Sequence, residues 1–180
     1  MAQLAGEQRK LYLANQDRIA QQVQHREAGE FKKDKLKVLA ELTKLRQICC
    51  DPHLHYADYK AGSAKLDTCM ELVHGALDGG HRILLFSQFT GMLDIIGKRL
   101  AKEDIAFLKL TGASSKESRA KMVAQFQAGE VPVFLISLKA GGVGLNLTAA
   151  TWSSTTTRGG TWRRRTRRPT APTALASSTP

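Results

Sequence analysis

A glycine-rich stretch, Ala140–Asn146, contains the residue types best suited to holding a phosphate group. It follows the apolar run Pro132–Ser137, which predicts a strand. In open α/β sheets, ligands bind at the carboxyl ends of strands, and glycines let backbone N–H groups approach a phosphate. No GxxxxGK[ST] phosphate loop occurs in the chain, so this stretch does not hold a triphosphate in that way. A tight strand-to-helix turn that needs glycine for steric reasons explains the same residues equally well.

A second cluster of reactive residue types is Cys49–His55, which contains two cysteines, an aspartate and two histidines. Adjacent cysteines reach one tetrahedral ion poorly, and no second CxxC or HxxxH pair completes a set of metal ligands. We therefore favour two small residues packed at a helix end, and no metal site. Gln88 and Thr90 follow a predicted strand and could touch a ligand at the sheet edge, although by themselves they are ordinary loop residues.

The elements that must position these residues form an alternating series from Ser63 onward. Three short runs predict strands: Arg82–Phe86, Ile105–Leu110 and Pro132–Ser137. The first is continuously apolar, which is typical of a strand that is buried on both faces. Amphipathic segments between them predict helices, with Ser63 as one N-cap and Ser114 or Ser115 as another. The pattern predicts an α/β fold with a parallel sheet covered by helices on both faces.

The residues before this series predict two helices. The first runs from Glu7 to about Gln24, and the second ends near Cys50 because Asp51-Pro52 breaks it. One face of the second helix is lysine-rich, and we interpret it as solvated. The opposite face has an apolar stripe of Phe31, Leu36, Leu39, Leu42 and Leu45. We predict three parts: a helical region over residues 1–62, an α/β lobe over 63–150, and a separate tail over 151–180.

The tail differs from the rest of the chain in composition. The 180 residues contain 27 Lys+Arg and 16 Asp+Glu, a formal net charge of +11, but residues 151–180 contain six arginines and no acidic residue. The sequence contains no stretch of about 18 uncharged apolar residues, so it predicts no membrane span. The N-terminus lacks the apolar core of a signal peptide. Three cysteines make a poor disulfide framework, so we expect a reduced, intracellular compartment.

Taken in order, several strings resemble the second RecA-like lobe of Swi/Snf-type helicase-like ATPases of superfamily 2. They are LRQICCDPHL (Leu45–Leu54), SAKLDTCMELV, GHRILLFSQFTGMLDII (Gly80–Ile96), LKLTGASSKESR (Leu108–Arg119) and FLISLKAGGVGLNLTAA (Phe134–Ala150). GHRILLFSQFT is similar to helicase motif IV, and SLKAGGVGLNLTAA to motif V. The segment before Leu45 resembles the helical region that joins the two lobes.

This resemblance implies a machine of two lobes that binds ATP and Mg²⁺ in the cleft between them and moves along double-stranded DNA. In the family, the N-terminal ATPase lobe carries the phosphate loop and the Mg²⁺-binding motif, so that lobe is the implied protein partner. The second lobe supplies motif V, together with a motif VI whose arginine fingers stabilise charge on the transferring phosphoryl group. We therefore expect a protein that is cytoplasmic and nucleoid-associated, or nuclear. Because no long apolar stretch occurs, we expect no membrane partner.

The resemblance also assigns residues by position. Near the nucleotide it places three residues of the glycine-rich stretch: Gly142, Gly144 and Asn146. On or near the edge that faces DNA phosphates it places six: Gln88, Thr90, Thr111, Arg119, Ser137 and Gly141. Phosphate contacts position a duplex and carry no sequence code. It assigns neither a catalytic residue nor a metal ligand to this chain.

The resemblance stops at Ala150, where the family continues through a strand and a DPWWN-like turn to motif VI. If the reading frame is shifted by one nucleotide, Thr151–Ser177 can be read as DVVIHYDPWWNVAAQNQATDRAHRIGQ, which resembles that continuation. We therefore hypothesise that residues 151–180 are a frameshifted product in which motif VI is lost. With almost no aliphatic residues, the tail is expected to be disordered from about Thr151 and to supply no further buried strand.

These features predict a fragment of an ATP-dependent DNA translocase that is inactive alone, because it lacks the phosphate loop, the Mg²⁺-binding motif and motif VI. A non-enzymatic basic module that binds nucleic acid or a partner protein is the alternative that composition favours. A lobe of a strand-separating helicase is a third interpretation, against which LRQICCDPHL and GGVGLNLTAA argue.

Overall fold

The computed structural model describes residues 4, 6–24, 31–141, 147–155 and 165–166. Its helices are α1 (Gly6–Gln24), α2 (Phe31–Cys50), a 3₁₀ helix (Pro52–Leu54), α3 (Ala64–Asp78), α4 (Thr90–Lys102), α5 (Lys116–Ala128) and α6 (Leu138–Gly141). Its strands are β1 (Ile83–Ser87), β2 (Phe107–Leu110), β3 (Val133–Ser137), β4 (Trp152–Thr155) and β5 (Arg165–Thr166). None of the helices in the described ranges has the length and apolarity needed to cross a membrane.

The strands form one sheet in the order β2-β3-β1-β4-β5. The first four are parallel, and β5 pairs antiparallel with β4. β1 and β3 lie side by side, paired from Ile83 opposite Val133 to Ser87 opposite Ser137. The predicted α/β fold with a parallel sheet is therefore confirmed.

The two faces of the sheet carry separate cores because successive side chains of a strand point to opposite faces. Ile83 and Leu85 of β1 pack with apolar side chains of α3 and α4. Leu84, between them, packs on the other face with Phe134 of β3 and Phe126 of α5. All five side chains are buried, which is why the strands read as continuous apolar runs.

Side-chain caps fix where two of the helices begin. The Ser63 hydroxyl accepts a hydrogen bond from the Leu66 backbone N–H and donates one to the Cys50 carbonyl oxygen, so it also ties α2 to α3. At α5 the cap is Ser115, whose hydroxyl accepts from the Ser118 N–H. The prediction of Ser63 is confirmed, and of the two candidates at α5 the structure selects Ser115.

The expectation that no buried strand follows Ala150 is wrong. Residues Trp152–Thr155 form β4, which pairs with β1, and Trp152 and Ser154 are 4% and 2% exposed. The expectation counted aliphatic residues only, whereas one tryptophan side chain supplies the apolar surface that closes this end of the core. Residues 156–164 and 167–180, where the disordered tail is predicted, lie outside the described residues.

The two N-terminal helices are confirmed and pack against each other. Gln8 of α1 is buried; its side-chain amide donates to the Ile48 carbonyl oxygen and accepts from the Ala64 N–H. In α2, Leu45 and Ile48 are buried, whereas three leucines of the predicted stripe are exposed: Leu36, Leu39 and Leu42. The three-part division of the chain stays a prediction.

Candidate functional site

The carboxyl ends of β1 and β3 meet at one edge of the sheet, because Ser87 and Ser137 lie opposite each other. The residues that follow these strands therefore share that edge, which we call the carboxyl edge. The Ser87 side chain is buried and bonds to both backbone polar groups of Phe89, and this tight turn leaves Gln88 exposed. Thr90, also exposed, is the first residue of α4.

Gln88 is connected to α2 across the edge. Its side-chain oxygen accepts a hydrogen bond of 2.6 Å from Arg46 Nη2, and the Arg46 guanidinium lies 5.9 Å from the centre of the Phe89 ring. Arg46 thus adds a positive charge to the carboxyl edge. No local sequence pattern indicates this contact, since 42 positions separate the two partners.

Ser137 and Gly141 form the turn after β3. Ser137 is 2% exposed, and its hydroxyl accepts a hydrogen bond of 3.3 Å from the Ala140 N–H. A Cβ atom on Gly141 would lie 3.1 Å from the Phe86 ring and 3.2 Å from Ile136, closer than side chains normally pack. Close packing is thus a sufficient reason for glycine at this one position.

The remaining glycine-rich residues are the predicted nucleotide contacts, Gly142, Gly144 and Asn146, which lie outside the described residues. Helix α5 holds the chain on both sides of them. Arg119 Nη1 donates a 3.0 Å hydrogen bond to the Ala140 carbonyl oxygen, and the Gln127 side-chain oxygen accepts one of 3.0 Å from the Ala149 N–H. Arg119 is thereby brought to the carboxyl edge.

Thr111 follows β2, the outermost strand, and so lies one strand farther along the same edge. Its backbone N–H donates to the Ser114 hydroxyl, and its own hydroxyl accepts from the Ala113 N–H. These bonds make the tight turn that leads into α5. Of the six predicted DNA contacts, Gln88, Thr90, Ser137 and Gly141 follow the two paired strands, Arg119 joins them through Ala140, and Thr111 lies beside them.

The polar side chains named at the carboxyl edge are hydroxyls, one amide and two guanidinium groups. Guanidinium and hydroxyl groups donate hydrogen bonds to phosphate oxygens, and Arg46 and Arg119 supply positive charge. None of these side chains is a carboxylate, which is the ligand that Mg²⁺ prefers. The arrangement suits a phosphate group better than a metal ion.

The cluster Cys49–His55 serves the packing of α2. Asp51 is fully buried and accepts hydrogen bonds from the backbone N–H and the ring Nδ1 of His53, which caps the 3₁₀ helix. Burial raises the pKa of the Cys49 and Cys50 thiols, which opposes the thiolate form that binds metals. In the described part of the chain, no three His, Cys, Asp or Glu residues are grouped to hold a metal.

Comparison with known proteins finds one matching family model, the helicase conserved C-terminal domain, over residues 64–153. The DNA repair protein RAD5A of Arabidopsis thaliana is 40% identical over 89 residues, which is 49% of this chain and 9% of that protein. An uncharacterized ATP-dependent helicase of Mycoplasma pneumoniae is 32% identical over 142 residues, which is 78% of this chain and 13% of that protein. The chain therefore spans only about a tenth of the length of these relatives.

Two solved structures from Sulfolobus solfataricus share the fold. The SWI2/SNF2 ATPase C-terminal domain has a TM-score of 0.74 and 32% identity, over 83% of this chain and 66% of that one. The SWI2/SNF2 ATPase core in complex with dsDNA has a TM-score of 0.77 and 30% identity, over 86% of this chain and 33% of that one.

Proposed function

This chain belongs to the helicase conserved C-terminal domain family, and from that premise we propose that it is the second RecA-like lobe of a Swi2/Snf2-type ATPase that moves along double-stranded DNA. The observation that carries the proposal is the carboxyl edge, where exposed polar groups after β1 lie beside the turn after β3. A solved ATPase core of the same fold is itself in complex with double-stranded DNA.

We assign the DNA backbone to the exposed part of this edge. Gln88 and Thr90 would donate hydrogen bonds to phosphate oxygens, and Thr111 and the Gly141 backbone would extend the contact along the edge. Arg119 uses one guanidinium nitrogen on Ala140, which leaves its other N–H groups to bind a phosphate. Such contacts hold a duplex in place without reading its sequence, as a translocase requires.

Ser137 has a different part in this proposal. Its hydroxyl is buried and already bonded to Ala140, so a direct bond to phosphate needs a change in the turn after β3. In the described conformation Ser137 stabilises the start of α6 instead. It would therefore position Gly141 for DNA and act on the ligand through the backbone.

ATP is proposed to bind at the glycine-rich stretch through Gly142, Gly144 and Asn146, with Mg²⁺ held by carboxylates of the N-terminal ATPase lobe. The side chains named at the carboxyl edge fit a phosphate but not Mg²⁺, which agrees with that division. We expect this chain alone to hydrolyse no ATP, with or without DNA. Measurable DNA-dependent phosphate release by the purified chain would contradict this expectation.

We also propose that residues after Ala150 are translated from a shifted reading frame, so that motif VI is lost. The buried position Ser154 supports this, because its hydroxyl has no hydrogen-bond partner among the described residues although the side chain is 2% exposed. The shifted frame begins DVVIHYD and would place isoleucine at this position and valine at the two before it. Apolar β-branched residues suit a buried strand, whereas an unpaired hydroxyl there is unfavourable.

The coding DNA from before codon 140 to beyond the stop codon tests the frameshift directly. A one-nucleotide shift that opens a frame through DRAHRIGQ would support it. A sequence without that frame would show that the arginine-rich tail is a genuine part of the protein.

Binding to a fluorescent DNA duplex, measured by anisotropy at about 0.1 M salt, tests the DNA assignment. Gln88→Ala should weaken binding about tenfold or more, the effect of one lost hydrogen bond to a charged group. The matched control is Gln21→Ala, which removes an exposed glutamine from α1 and should leave binding unchanged. Equal binding by both variants would favour the second candidate, a basic module that binds nucleic acid through its net charge of +11 alone.

A further inference from the structure

The strand β2 forms one edge of the sheet. It pairs with β3 only, and no other strand of the described ranges covers its outer side. Phe107 is half-buried and Lys109 is exposed. An edge strand of this kind presents unpaired backbone N–H and C=O groups that can pair with another chain.

A groove runs between this edge and α4. We call it the β2 groove; its volume is about 450 Å³, and it is lined by Leu93, Asp94, Gly97, Lys98, Ala101, Phe107 and Lys109. Small residues on α4 create it: a Cβ atom on Gly97 would lie 3.0 Å from the Phe107 ring, so the ring rests directly on the helix backbone. The volume is enough for one or two apolar side chains.

The polar groups of the groove carry an excess of positive charge. Lys109 Nζ lies 2.6 Å from Asp94 Oδ1, so this carboxylate is already paired. Lys98 is exposed on α4, and the described part of the chain gives it no ion-pair partner. In the groove, two ammonium groups therefore stand beside one carboxylate.

We propose that the β2 groove binds an extended acidic segment of a partner protein, which adds a strand to β2 and inserts an apolar side chain beside Phe107. Strand addition explains the free edge, because main-chain hydrogen bonds supply affinity and a pocket beside the strand supplies specificity. The unpaired Lys98 and the net positive charge of the groove explain the acidic character, since complementary charge selects and steers a partner. This surface lies on the outer strand, and the proposal does not depend on nucleotide or DNA binding.

Other occupants match the charge less well. The tail of this chain, residues 151–180, has six arginines and no acidic residue, so Lys98 and Lys109 would repel it. A second copy of the chain, paired through β2, would bring its own lysines against these, and like charges on paired strands are destabilising. DNA would match the charge, but its backbone offers no strand to pair with β2.

The test uses the full chain and two synthetic peptides of about eight residues. In the first peptide, glutamate alternates with valine and leucine. In the second, lysine replaces each glutamate. Anisotropy measures affinity, and amide hydrogen exchange locates the binding. We expect the glutamate peptide to bind at least about tenfold more tightly, and to slow exchange at Phe107–Leu110. Lys98→Glu should weaken binding of the glutamate peptide about fivefold. The control Lys121→Glu makes the same charge change at an exposed position of α5 and should have little effect.

Several results would overturn the proposal. One is equal affinity for the two peptides, and another is slowed exchange that excludes β2. Slowed exchange at β2 caused by a DNA duplex would identify nucleic acid as the ligand. Self-association of the free chain that slows exchange at β2 would identify a second copy. Circular dichroism of both variants shows whether they retain the fold, and a native spectrum is expected because both lysines are exposed.

Discussion

Replacing Ser154 with alanine should stabilise the protein, which is unusual for a substitution in a buried strand. The side chain is 2% exposed, and the part of the chain that the structure describes offers its hydroxyl no hydrogen-bond partner. A buried hydroxyl without a partner costs about 1–3 kcal/mol in proteins. Alanine removes the oxygen and leaves the rest of the side chain, but it is a poorer strand former, on a scale that spans about 1 kcal/mol. The net gain should be about 1 kcal/mol.

Urea unfolding followed by circular dichroism measures this gain. With a slope of about 1–3 kcal/mol per molar urea, the midpoint for Ser154→Ala should rise by about 0.5 M without a change in slope. Ser154→Val restores a β-branched apolar side chain and should raise it at least as far, provided that the extra methyl group fits. Ser153→Ala, on the opposite side of β4, is the control and should give no rise, because Ser153 is only half-buried and already has partners.

A lowered or unchanged midpoint for both Ser154→Ala and Ser154→Val would refute this reasoning. It would mean that the Ser154 hydroxyl has a partner in the folded protein, or that β4 is not packed in solution. The structural support for a shifted frame would then be lost, although the coding DNA would still decide the question.

Three further predictions concern stability. Ser63→Ala should cost about 1–2 kcal/mol in urea unfolding, because it removes the cap of α3 and the bond to the Cys50 carbonyl oxygen; an unchanged midpoint would show that neither bond matters. Burial raises the pKa of Cys69 to about 12, so the folded state keeps a proton that the unfolded state loses above about pH 9. The free energy of unfolding should therefore fall as the pH rises above 9, and it should fall less steeply in Cys69→Ala. Equal slopes of unfolding free energy against pH in the two proteins would contradict this. The hydrogen bond from His74, with help from Arg99, lowers the pKa of Glu103, so the stabilising contribution of this carboxylate is present above about pH 4.5 and lost as the pH falls. In Glu103→Gln the free energy of unfolding should depend less on pH in the acid range. An unaltered dependence would exclude this contribution.

The sequence was sufficient for the order of the main helices and strands from α1 to β3, because the local signals agree there with the final packing. The apolar runs of β1 and β3 are continuous since both faces of the sheet are covered, and the caps Ser63 and Ser115 are set by residues three positions away. Burial along α2 was harder to predict, because it depends on how α1 and α3 are placed. Leu36 has the same residue type as Leu45, yet it is 79% exposed while Leu45 is 8% exposed.

The candidate site was predicted only in part, and for a physical reason. Gln88, Thr90 and Gly141 follow strands directly, so the sheet topology brings them together. The contact of Arg46 with Gln88 and that of Arg119 with Ala140 span 42 and 21 positions, and no local pattern indicates such pairs. The strand β4 was missed because pairing with β1 and one buried tryptophan compensate for its polar sequence.

Amide hydrogen exchange of the full chain, with and without a DNA duplex, tests the central claim most directly. If the carboxyl edge is the DNA-binding surface of a translocase lobe, the duplex should slow exchange at residues 88–90 and 137–141, and more weakly at residues 111–114. Slowed exchange confined to the lysine-rich part of α2 and to residues 151–180 would contradict the claim. The chain would then bind DNA through its basic segments, without using the edge that the fold builds.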